Sequence, residues 1–131
     1  MDTKKKMKEL MNSTEKQIME KPTDLTDANF DEIVQGYPLM MIDFWSTDCQ
    51  PCKVIAPIIE ELARKYEGRL FVGKIRVDEN PKTVERFDIR GVPTLLIIKD
   101  GREIDRIVLQ MIDLIQLIKE YIDEKLKKHS T

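Results

Sequence analysis

The chain has 131 residues, with 22 Lys and Arg against 24 Asp and Glu, for a net charge of −2. That length fits one domain of ordinary size, and so balanced a charge argues against a protein that works by neutralising phosphates. With 41% hydrophobic and 35% charged residues the chain is too apolar for disorder. No uncharged run approaches the ~20 residues of a transmembrane helix, so neither a nucleic-acid nor a membrane partner is expected.

Residues 1–21 hold no Gly or Pro and place Met7, Leu10, Met11, Thr14 and Ile18 on one helical stripe. Six lysines stand against four acids here, which reads as a solvated or loosely docked amphipathic extension, or else as a docking or dimer contact. The basic start is not followed by an apolar stretch, so no secretory leader is expected and a cytoplasmic location is. Lys21-Pro22 marks the boundary, with the domain proper over residues 22–131.

From Thr23 onward the pattern is α/β. Thr26-Asp27 can cap a short helix carrying Phe30, Ile33 and Val34 and closed by Gly36. Leu39 to Trp45 reads as a strand buried on both faces. Cys52 to Tyr66 has helical periodicity through Ile55, Ile59, Leu62 and Ala63, with Gly68 ending it. Leu70 to Val77 is strand-like. Asn80-Pro81 opens another helix, Asn as cap and Pro at the first helical position. Thr94–Ile98 and Glu103–Leu109 flank Asp100-Gly101, a hairpin signal. A last helix over Ile112–Leu126 presents Leu114, Ile115, Ile118, Tyr121 and Ile122 as its apolar face. The order is β-α-β-α-β-α-β-β-α.

Two cysteines are too few to staple a secreted scaffold. Cys49 and Cys52, spaced C-x-x-C, close a loop too small to contribute much chain entropy, so in a reducing compartment the pair means redox chemistry or metal. Zinc would need ligands beyond these two, and the one histidine, His129, lies in a polar tail; inert core thiols are the other alternative. Cys49 falls at a helix start, exposed, where unpaired backbone N–H groups and the positive dipole end favour a thiolate. Cys52 follows one turn on, buried, within disulfide range. Pro51 loses no helical hydrogen bond in the first turn, and Lys53 adds a positive charge.

Asp43 is a carboxylate inside an otherwise apolar strand. Desolvation should raise its pKa towards neutrality, suiting a general base that takes a thiol proton. Lys74, on the neighbouring strand, can partner it; a structural ion pair is the alternative.

The stretch Asp43-Phe44-Trp45-Ser46-Thr47-Asp48-Cys49-Gln50-Pro51-Cys52-Lys53 resembles the thioredoxin family's D-F-W-x-x-W-C-G-P-C-K. Pro57, Val77-Asp78, Asn80-Pro81, Arg90-Gly91-Val92-Pro93-Thr94 and Asp100-Gly101 extend the resemblance over about residues 24–127. It implies an α/β thioredoxin fold, a five-stranded mixed sheet flanked by four helices, with Trp45 beside the site. It further implies a cis Pro93 facing the cysteines and a Val92 backbone that pairs with substrate. Three positions depart from the pattern and bear on partner choice: Asp48 for tryptophan, Gln50 for glycine, and Leu109 for a glycine in the substrate groove.

The expectation is a dithiol–disulfide oxidoreductase without bound cofactor. Cys49 attacks a disulfide in a client protein, Cys52 resolves the mixed disulfide with help from Asp43, and a thioredoxin reductase returns the electrons. A thioredoxin-fold module that docks partners without redox turnover is the alternative from another class.

Overall fold

The computed structural model describes residues 21–108 and 115–129. The expected N-terminal helix, Leu109 and the expected start of the last helix therefore lie outside the described residues. Five strands, β1 (Thr23–Leu25), β2 (Leu39–Trp45), β3 (Phe71–Arg76), β4 (Thr94–Lys99) and β5 (Arg102–Val108), form one sheet in the order β1-β3-β2-β4-β5. The helices are α1 (Phe30–Gly36), α2 (Gln50–Lys65), α3 (Pro81–Arg86) and α4 (Ile115–His129). The sheet is mixed: β1 and β2 both run parallel to β3, while β4 is antiparallel to β2 and β5 to β4.

β2 is the central strand, and its apolar run, broken only by Asp43, is explained by helices on both sheet faces. Successive side chains alternate between those faces. Leu39 and Met41 join Ile55, Ile59 and Leu62 of α2 and Ile122 and Leu126 of α4 in one core cluster. Met40, Ile42 and Phe44 join Phe30 and Val34 of α1 in the other. The same parity sends Asp43 and Trp45 to the α2 face. Gly73 of β3 packs closely against the second core: a Cβ there would come within 2.6 Å of Leu25 Cδ1.

Three local expectations need correction. Thr26 helps start α1 through reciprocal hydrogen bonds with Asn29, which stands at the N-cap position without a side-chain bond into the helix, but Asp27 serves α3 instead. Its carboxylate accepts from the Lys82 and Thr83 backbone N–H groups and the Thr83 hydroxyl. Asn80 occupies the cap position of α3 without capping it. Buried by the return of the chain after β3, its side chain accepts from Asp27 N and donates to the Arg76 carbonyl. A capping motif shows which chemistry a helix end needs, while the fold decides which segment supplies it. Tyr121 is 48% exposed rather than on the apolar face of α4, its ring covered by the Lys125 ammonium. The hairpin follows its Asp-Gly signal, with φ of 49° at Asp100 and 83° at Gly101, both positive as the tightest two-residue turn demands.

Candidate functional site

β2 ends at Trp45, and a short loop delivers Cys49 to the N-cap of α2 with Pro51 in the first turn. Cys49 and Cys52 are joined as a disulfide, their Cα atoms 5.2 Å apart. The Cys52 backbone N–H donates to Cys49 Sγ at 3.1 Å. This is one of the helix-end donors that has no intrahelical acceptor, and it is aimed at the sulfur expected to carry negative charge. The expected contrast in exposure is absent: Cys49 is 7% exposed and Cys52 4% in the disulfide form. What distinguishes Cys49 is the donated N–H and its place at the dipole end, not solvent access.

Beside Cys52 lies a cavity of about 200 Å³, lined also by Asp43, Trp45, Ser46, Thr47, Lys53, Ala56 and Lys74. Asp43 is fully buried and its Oδ1 meets no hydrogen-bond partner among the described residues. Burial pushes its pKa up from 3.8 to about 7, against the opposing field of Lys74. Asp43 and Lys74 are register partners on the parallel strands β2 and β3. The lysine's ammonium, however, sits over the Trp45 ring, 4.9 Å from its centroid, so it acts on Asp43 as a nearby charge and not as a direct ion pair.

The Val92–Pro93 peptide is cis. The antiparallel register pairs Thr94 with Phe44, which brings Pro93 to the same end of the sheet as Trp45 and the cysteine loop. Pro93 is buried and Val92 half-buried, and no described residue hydrogen-bonds the Val92 backbone. Asp48 and Gln50 flank Cys49 and are exposed. Leu109, the third departure from the family pattern, lies outside the described residues. Sequence reasoning missed Arg76, whose guanidinium approaches the Trp45 ring to 6.0 Å. It lies two residues beyond Lys74 on the same strand, so the two-residue period could have found it.

A dithiol at a helix N-terminus, set at the end of the central strand above a buried carboxylate with a pKa near neutrality, defines a thiol–disulfide oxidoreductase. Comparison with known proteins gives the same class. The family model described as Thioredoxin matches residues 21–120, and the chain belongs to the thioredoxin family. A thioredoxin of Staphylococcus haemolyticus (strain JCSC1435) is 48% identical over 84 residues, covering 64% of this chain and 80% of that protein. One from Staphylococcus aureus (strain Mu50) is 46% identical over the same extent. The solved structure of a mutant thioredoxin from Halobacterium salinarum NRC-1 aligns with a TM-score of 0.74 at 25% identity, covering 86% of this chain and 93% of that one. As in the family generally, the substrates are disulfides and the electrons come from a reductase. Among the described residues, no helix is long and apolar enough to cross a membrane.

Proposed function

We infer that this protein reduces disulfides of client proteins in the cytoplasm, with Cys49 as nucleophile, Cys52 as resolving thiol and Asp43 as the base that frees it. The Cys49 thiolate attacks one client sulfur; a new S–S bond forms, the client S–S bond breaks and one client thiolate leaves. Cys52, its proton taken by Asp43 directly or through one water, then attacks Cys49 Sγ. The Cys49–Cys52 bond closes, the second client thiolate departs, and two electrons have passed from the dithiol to the client. A thioredoxin reductase returns the site to the dithiol.

The observation that carries the assignment is the N–H of Cys52 donated to Cys49 Sγ. A donor built into the helix end stabilises charge on Cys49 and offers no such help to Cys52. Asp43, with a pKa of about 7 and facing the same cavity as Cys52, suits the second step, since a base works best near the working pH. A docking module without turnover would have no use for a buried carboxylate held at the edge of ionisation. Trp45, Lys74, Lys53 and Pro51 support the site. The free backbone of Val92, beside cis Pro93, pairs with extended client chain as an added strand would, while Asp48, Gln50 and Leu109 tune which clients fit. Residues 1–21 form an extension outside the catalytic domain of residues 22–131.

Reduction of insulin disulfides in the presence of dithiothreitol tests this reading. The wild type should accelerate B-chain precipitation and Cys49→Ser should not; no acceleration by the wild type would leave the docking-module reading, and equal acceleration by both would refute Cys49 as the nucleophile.

A further inference from the structure

The loop that carries Val92 is held from an unexpected side. α3 ends in a double closure, Asp88 N–H to the Glu85 carbonyl at 3.1 Å and Ile89 N–H to the Val84 carbonyl at 3.0 Å. Asp88 occupies the left-handed position at φ 51°, where such endings usually place glycine. The carbonyls turned outward at this corner are received by Arg106 of β5. Its Nη2 donates to the Phe87 carbonyl at 2.5 Å and its Nη1 to that of Asp88 at 3.2 Å. Glu103 grips the other edge of the guanidinium at Nε and Nη2, both at 2.8 Å. Four of the five N–H groups of that rigid fork are thereby spoken for. A cation at the last carbonyls of a helix is also where the dipole favours one.

From this corner the chain has only Ile89, Arg90, Gly91 and Val92 before Pro93. At the far end the Thr94 hydroxyl donates to the Gly91 carbonyl at 2.7 Å. The segment is thus clamped at its entry by Arg106 and at its exit by Thr94, with its middle, Arg90 and Gly91, exposed.

We propose that Arg106 is a positioning residue for substrate, fixing through Phe87 and Asp88 the placement of the Val92 backbone relative to Cys49. This rests on the reading of Val92 as the strand that pairs with client. Arg106 touches neither cysteine nor client, so its removal should loosen client docking and leave the dithiol chemistry alone.

The test compares wild type with Arg106→Ala, Arg106→Lys and Glu103→Ala, each checked by circular dichroism and thermal melting. Steady-state reduction of insulin gives KM and kcat, and the reaction of the reduced protein with a small aromatic disulfide reports the dithiol without any need for the loop. Arg106→Ala should raise the insulin KM about tenfold, in keeping with the sensitivity of positioned reactants to small displacements. Its kcat should change less than about twofold and its rate with the small disulfide should be that of wild type. Arg106→Lys, a point cation reaching one carbonyl in place of two, and Glu103→Ala should fall between. An insulin KM unchanged in Arg106→Ala would overturn the proposal, even with a lowered melting temperature, as would an equal loss with insulin and the small disulfide. Failure of the underlying reading looks different: the wild type itself would not reduce insulin.

Discussion

Asp43 makes stability depend on pH in a direction opposite to that of an ordinary paired carboxylate. Its pKa is raised from 3.8 to about 7 in the folded protein, burial being the main cause and Lys74 opposing it. Below the unfolded value both states hold the proton and folding is unaffected. Between about pH 4 and pH 7 the folded state keeps a proton that the unfolded chain has released, so stability falls as pH rises and levels off above pH 7. A difference of roughly three pKa units corresponds to about 4 kcal/mol lost across that window. Asp43→Asn removes the ionisation but leaves a buried amide with unpaired hydrogens, a cost of about 1–3 kcal/mol. The oxidised variant should therefore be more stable than oxidised wild type by about 1–3 kcal/mol at pH 8 and less stable than it below pH 4. Urea unfolding of both oxidised proteins at half-unit steps from pH 4 to 8.5 gives the two curves. Parallel curves, with no crossing, would show that Asp43 carries no shifted proton and would remove the case for it as a base.

Other consequences are open to direct measurement. In single-turnover reduction of a client, Asp43→Asn should slow release of the second client thiol more than formation of the mixed disulfide; equal slowing would reduce Asp43 to a structural role. Asp48→Asn removes an exposed like charge beside Cys49, so the redox potential in dithiothreitol buffers should become less negative by about 10 mV, screening keeping the effect small; a more negative value would contradict the sign. Deleting residues 1–21 should leave insulin reduction at the wild-type rate, whereas a marked fall in melting temperature would show that the extension docks on the core. Gly73→Ala should destabilise the fold by about 1–2 kcal/mol in urea, because the new methyl meets Leu25 in a closed core.

The order of elements was legible because apolar runs and turn residues agreed, Asp100-Gly101 most plainly, while the five-stranded mixed sheet was legible only through the resemblance to the thioredoxin family. At the site, the pairing of Cys49 with Cys52 was legible from their spacing, and the raised pKa of Asp43 from a carboxylate set in an apolar strand. Lys74 was found as a neighbour but not in its posture, since its place over Trp45 is set by the ring's face and not by the strand register. The exchange between Asp27 and Asn80 was hidden because residues over 50 apart in sequence meet only once α1 and α3 lie on the same sheet face. Arg106 gave no sign: a charged residue on an edge strand reads as solvent-facing, and beyond Glu103 its partners are backbone carbonyls that no side-chain pattern reveals.

The most direct measurement traps the reaction halfway. Cys52→Ser, reduced and mixed with a disulfide-containing protein, should accumulate a covalent adduct that peptide mapping places on Cys49 and that dithiothreitol releases, while Cys49→Ser accumulates none. An adduct formed by Cys49→Ser through Cys52, with none from Cys52→Ser, would reverse the roles drawn from the helix-end geometry.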